Sequence, residues 1–174
     1  MKWRISMHVF QPVDPADVDD GAFTFNGGSM LITAEKGDKV NSMTASWGGV
    51  GYLWNKRIVI IYVRVSRYTR EFIDEAGEFS LSFLNPKEFR GALKYMGAVS
   101  GRDEDKLKGA RLTVNYDDGI PFIDEAGSVV TAKVLYRQEF EGAGFVEPGL
   151  CDEFYRDGDY HIMYVGEIRK ILVR

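Results

Sequence analysis

Residues 57–64 read Arg57-Ile58-Val59-Ile60-Ile61-Tyr62-Val63-Arg64, a nearly unbroken run of β-branched and apolar side chains. A run of this length and composition is expected to be a strand buried on both faces. Working outward, residues 29–34 and 39–46 read as a hairpin broken at Glu35–Asp38, where Gly37 and Asp38 favour a turn. Residues 78–84 alternate, with Phe79, Leu81 and Phe83 on one face and Ser80 and Ser82 on the other. Residues 128–137 and 160–172 are two further long strands. Helices are fewer. One is expected from Ser66 to Ala76, with Phe72 and Ile73 inward and Gly77 closing it. A second is expected to start at Asn85-Pro86-Lys87-Glu88, because Asn85 can cap, Pro86 suits the first helical position and Glu88 completes a capping box. Phe89, Leu93 and Met96 follow at helical spacing. A short third helix is expected over Asp103–Lys108. Segment 12–21 is acidic and turn-rich, and 141–159 is rich in Gly and acids, so both read as surface loops. Many strands with a few short helices predict a mainly β fold, a barrel with helical connections.

The 174 residues suit a single domain spanning 1–174. The hydrophobic fraction of 45% and charged fraction of 28% are ordinary for a water-soluble globular chain. A net charge of -4 argues against nucleic acid as a partner, since such binders usually carry a basic stripe. Cys151 is a lone thiol, so no intrachain disulfide can form, and no Cys/His group has zinc-site spacing. Met1 to Phe10 lacks the apolar core of a secretion signal, and no stretch approaches a membrane span. The expected setting is cytoplasmic, without membrane contact.

Three segments carry candidate chemistry. In Asn41 to Gly51 (NSMTASWGGVG), small residues run into a glycine-rich turn, which would let a flat ligand approach the backbone; a strand followed by a flexible loop fits equally. In Val63 to Thr69 (VRVSRYT), a strand ends at Arg64 and a helix begins near Ser66. Helix starts favour anions, and arginine grips phosphate with paired bonds. An ordinary N-cap with solvated arginines would look the same. Ser100 to Lys106 (SGRDEDK) taken alone reads as a solvated charged loop opening a helix.

With Phe79 to Phe83 (FSLSF), these segments in this order and spacing resemble the flavin reductase-like family of FMN-binding split β-barrels, most closely its flavoredoxin-like branch. The resemblance covers roughly residues 28–170. It implies that Thr44, Ala45, Ser46 and Trp47 line the isoalloxazine ring of FMN. It further implies that Arg64, Ser66 and Thr69 hold the 5′-phosphate, with Arg67 as a helper, and that Ser80 and Ser82 pass beside the ribityl chain or ring. Tyr95, Gly97, Ser100, Gly101, Asp103 and Lys106 would form the far wall, contributed within one subunit or across a homodimer interface. The insert Gly48 to Asn55, with Trp47 and Trp54, is bulkier than in many flavin reductases and would cover the flavin face. The implied activity is hydride transfer from NAD(P)H to flavin. An electron carrier exchanging electrons with a redox protein partner, and a flavin-free ligand-binding barrel, remain open. A barrel of the pyridoxamine-phosphate-oxidase type is the nearest structural rival. No Gly-x-Gly-x-x-Gly follows a strand, so a nicotinamide donor would dock directly over the flavin. Hydride transfer needs no side-chain acid or base, so no catalytic residue is assigned. Lys106 is the candidate for an electrostatic role, with a plain surface lysine the stronger expectation, and His161 is expected as a structural strand residue.

Overall fold

A computed structural model describes residues 25, 30–147 and 149–174. The expected loop at 12–21 lies outside these. The strands are β1 (Met30–Lys36), β2 (Lys39–Ala45), β3 (Gly48–Leu53), β4 (Lys56–Arg64), β5 (Glu78–Phe83), β6 (Val114–Asp117), β7 (Ile120–Ile123), β8 (Ser128–Glu139) and β9 (His161–Val173). The helices are α1 (Tyr68–Ala76), α2 (Arg90–Ala98), α3 (Lys106–Ala110) and α4 (Leu150–Phe154).

Seven strands form one antiparallel sheet in the order β2-β1-β5-β8-β9-β4-β3. β6 and β7 form a separate hairpin. This order has a geometric consequence. β2 and β3 lie at opposite edges of the sheet, yet only Ser46 and Trp47 join them. A two-residue link cannot cross a flat seven-stranded sheet, because neighbouring strands lie about 4.8 Å apart. The sheet therefore curls until its edges meet at that link and, among the described residues, stay unpaired elsewhere. This is a split barrel. Register shifts in β8–β9, between Thr131 and Ala132 and between Val134 and Tyr136, help bend the two longest strands. At Gly166 on β9 a Cβ would lie 3.0 Å from the Phe79 ring and 3.1 Å from the Ala132 methyl. Glycine there lets β9 close over the core.

The alternation read from β5 places Phe79, Leu81 and Phe83 in the barrel interior with Met30, Ile32, Ile61, Val63, Phe72 and Tyr164. Each such large side chain contributes roughly 1.5–3 kcal/mol by leaving water. A second cluster lies outside the sheet, where Leu31 and Val129 meet Leu93 and Met96 of α2, Leu107 of α3 and Ile123 of β7. β1 and β5 are thus buried on both faces.

Several expectations are corrected. β4 alternates buried and half-buried residues beyond Val59 and is not covered on both faces. α1 starts two residues later than Ser66, with Arg67 at the cap position and no side-chain capping bond. Asn85 does cap, accepting from the Lys87 N–H, but it closes a separate turn; α2 begins at Arg90. The barrel demands a change of direction after β5, and that turn consumes the first residues of the helical pattern. Residues 48–53 are the edge strand β3, paired with β4, and are not among the residues that line the cleft containing Trp47. Segment 141–159 contains a 3-10 turn at Gly142–Gly144 and helix α4.

Candidate functional site

The site lies on the seam, where the end of β2 faces the ends of β4 and β9. A cleft of about 230 Å³ is lined by Met43, Thr44, Ala45, Ser46, Trp47, Tyr62, Arg64, Arg67 and His161. A second, of about 140 Å³, is lined by Asn41, Met43, Ser66, Arg67, Tyr68, Thr69, the loop from Ala98 to Arg102, and Lys106. Met43 and Arg67 belong to both, so the two are halves of one crevice. Each alone falls short of the roughly 300–1,000 Å³ of a typical ligand site, and together they reach it.

The first half is a slot. Trp47 stands half exposed at its rim, tilted against His161 at 5.0 Å and edge-on to Phe154 at 5.8 Å. The Thr44 hydroxyl donates to the Leu93 carbonyl, so it anchors α2 and leaves the backbone of residues 44–46 to face the slot. His161 opens β9, paired with Arg64, and its Nδ1 lies 2.8 Å from the Tyr155 hydroxyl. Burial, reinforced by the Arg64 charge, lowers its pKa to about 4, against a smaller opposing pull from Asp159. The imidazole is therefore neutral at pH 7.

The second half is cationic. Arg67 donates to the Gly97 carbonyl. Arg102 donates to the Ser66 carbonyl, pairs with Glu71 and lies over the Tyr68 ring at 4.5 Å. Lys39 donates to the Gly101 carbonyl. These bonds clamp the loop after α2 onto the start of α1. Gly101 is required there, because a Cβ would sit 2.2 Å from Asn41 Oδ1, and the Asn41 amide already donates to Thr69 Oγ1. Lys106 is buried, not superficial. Its ammonium donates to the Met96 and Val99 carbonyls, and burial, then the nearby Arg67, lower its pKa to about 8.

The seam therefore collects Thr44, Ala45, Ser46, Trp47, Arg64 and Arg67 in one half and Ser66, Arg67, Thr69, Ser100, Gly101 and Lys106 in the other. Gly97 lines neither half; it packs on Thr44, 3.4 Å away measured from an added Cβ, and its carbonyl accepts from Arg67. Four candidates lie elsewhere. Ser80 and Ser82 are fully buried beneath β7, bonded to the Pro121 carbonyl and the Ile123 N–H. The outward face of β5 is covered by a hairpin, so these hydroxyls satisfy its backbone. The Tyr95 hydroxyl lies against Gly109 of α3, and its pKa is raised by a hydrogen bond with Glu104. Asp103 is exposed in the turn before α3. Arg64 needs a different account from the one expected: its guanidinium donates to the Phe154 and Asp159 carbonyls. Both donors of Ser66, N–H and hydroxyl, go to the Asp159 carboxylate at 2.9 and 2.6 Å. Asn41, Tyr62, Arg102, Asp159 and His161 were not among the expected site residues. Asn41 and Arg102 sit inside motifs already quoted, whereas Asp159, Tyr62 and His161 come into place only through the pairing of β4 with β9.

An open-seamed barrel with a slot leading into a cationic pocket has the shape and charge that a planar ligand with an anionic tail would need. Residues 22–174 match the model of the flavin reductase like domain, and the chain belongs to that family. Among solved structures it resembles flavoredoxin from Methanosarcina acetivorans at 23% identity and a TM-score of 0.67, over 95% of this chain and 76% of that one. It also resembles the FMN-binding protein from Thermus thermophilus, with bound p-hydroxybenzaldehyde, at 19% identity and 0.67, over 97% and 82%. The styrene monooxygenase flavin reductase from Pseudomonas putida S12 matches at 13% identity and 0.61, over 83% and 78%. At such identities the likeness is one of fold. No curated protein matches the sequence.

Proposed function

We propose that the chain binds FMN in the seam crevice and acts as an oxidoreductase, reducing flavin with NAD(P)H. The observation that carries this reading is the join of a slot walled by Thr44–Trp47 to a pocket holding Arg67, Arg102 and Lys106. The residues present fit the group. Backbone of residues 44–46 and the Trp47 face suit the ring, and the second half suits the phosphate through Arg67, Ser100, Arg102, Lys106 and the start of α1. When bound, flavin supplies the hydride-accepting chemistry. The protein's part is to orient the ring, to exclude water with Trp47 and Phe154, and to set a positive field at the tail. Neutral His161, fixed through Tyr155, adds a hydrogen-bonding edge to the slot without adding charge.

We also read the chain as a homodimer. Val50, Tyr52, Leu53 and Trp54 on the edge strand β3 and its turn are exposed, as is Tyr136 beside them. Exposed aromatics on an open strand edge suit a partner surface. The same face would serve a redox protein partner if the chain were an electron carrier. The test is the absorbance spectrum of the purified protein with FMN, before and after NADPH and NADH in turn. Bleaching of a bound-flavin spectrum by either supports the reductase. A bound spectrum unmoved by both, but bleached by a reduced protein donor, selects the carrier. Absence of any bound flavin spectrum overturns the proposal.

A further inference from the structure

Asp159 occupies a place that an incoming anion would compete for. Its Oδ1 accepts from the Ser66 N–H at 2.9 Å and its Oδ2 from the Ser66 hydroxyl at 2.6 Å. Arg64 Nη1 lies 3.8 Å from Oδ2. These are the donors at the entry to α1, a nine-residue helix whose cap residue makes no side-chain bond. Oriented N–H groups and the helix dipole make such an entry attractive to anions. Ser66 also lines the cationic half of the crevice. The carboxylate is held there by its own chain. Arg64 grips the Asp159 and Phe154 carbonyls, so the segment between Gly149 and Gly158, both at positive φ, lies tied across the end of β4.

Resting on the flavin reading above, we infer that Asp159 sets the selectivity of the crevice between phosphorylated and unphosphorylated flavin. A phosphate monoester entering beside Ser66 meets a fixed negative charge and finds both Ser66 donors engaged. The uncharged end of riboflavin meets no such repulsion. Asp159 thus lowers the preference for FMN that Arg67, Arg102 and Lys106 create. Arg67, Lys106 and an Arg102 already paired with Glu71 set the attraction, and the Asp159 carboxylate limits it at Ser66.

The test is flavin fluorescence titration of FMN and riboflavin against the wild-type chain, Asp159→Asn, Ser66→Ala and the double variant. Asparagine keeps the shape and an acceptor for Ser66, so the corner stays built. Removing one like charge is expected to raise the ratio of FMN to riboflavin affinity about tenfold, with riboflavin itself within about twofold. That gain is expected to shrink in the double variant, because it draws on the released Ser66 hydroxyl. Asp159→Ser, a second neutral variant, is expected to raise the ratio as well. Riboflavin binding with an unchanged ratio in both neutral variants overturns the inference alone. Absence of both flavins from the wild type and every variant overturns the flavin reading and this inference with it.

Discussion

Two buried titratable residues make the seam sensitive to pH in opposite ways. His161 has a folded pKa of about 4 because burial and Arg64 disfavour its cation. In the unfolded chain it returns to about 6.5. Between these values the unfolded chain binds a proton that the folded chain does not. The contribution to stability is therefore complete above about pH 6.5 and is lost as pH falls toward 4, by up to about 3 kcal/mol. Melting temperatures followed from about pH 7 to about pH 4.5 should fall more steeply for the wild type than for His161→Phe. Parallel curves would remove His161 from the acid response. Lys106, lowered to about 8 by burial and Arg67, is charged at neutral pH and neutral in alkali. The FMN-over-riboflavin preference should thus decline as pH rises through about 8, and Lys106→Arg, which stays charged, should flatten the decline. A preference that holds constant in the wild type up to about pH 9.5 would take Lys106 out of the phosphate field.

At the scale of elements, the crevice depends on how the loop after α2 is clamped to α1. Arg67 and Arg102 each donate to a carbonyl across that contact, and Lys39 of β2 ties the loop from the other side at the Gly101 carbonyl. Asn41 fills the space beneath Gly101 and holds Thr69. Gly101→Ala forces a methyl into the Asn41 side chain, which is pinned and cannot swing away. An overpacked contact of this kind costs about 1–3 kcal/mol. The variant should melt lower and bind FMN at least several-fold more weakly, checked by thermal melting and titration. Wild-type affinity in Gly101→Ala would show that the clamp does not shape the pocket. A second clamp joins α1 to the long strands, where Asp74 accepts from Arg70, Arg137 and the Tyr164 hydroxyl. It fixes the axis of α1, and so the direction in which its start faces the crevice.

For the whole molecule, curling of the sheet is the controlling event. Gly166→Val would press a branched side chain against Phe79 and Ala132 where β9 closes over the core. Denaturant unfolding should show a loss of about 1–3 kcal/mol. An unchanged midpoint would mean that closure does not depend on that contact. The proposed self-association belongs to the same scale. Trp54 and Asn55 form the β3–β4 turn at φ of 52° and 58°, a conformation that costs a bulky residue energy. A large aromatic kept there, more than half exposed, fits a role at a partner surface. Trp54→Gly should fold at least as well and lower the dimer fraction, read by light scattering across protein concentration. An unchanged dimer fraction would place the interface elsewhere.

Local pattern was enough to reveal the long strands, the inward faces of α1 and α2, and the small residues 44–46 that lead into Trp47, because burial periodicity and turn chemistry are written in consecutive residues. Asp118-Gly119 is a turn dipeptide, and it closes the β6–β7 hairpin at φ of 48° and 85°, a pair that the strand expectations do not include. Fold and family therefore lay within reach of the chain itself. What each polar group faces did not. Ser80 and Ser82 alternate as a polar face should, yet β7 covers them. Arg64 and Ser66 have the chemistry of an anion seat, yet Asp159, 93 residues beyond Ser66, reaches them first. Strand pairing and sheet closure bring those distant groups together, so the occupancy of the seat and the burial of Lys106 were decided only in three dimensions.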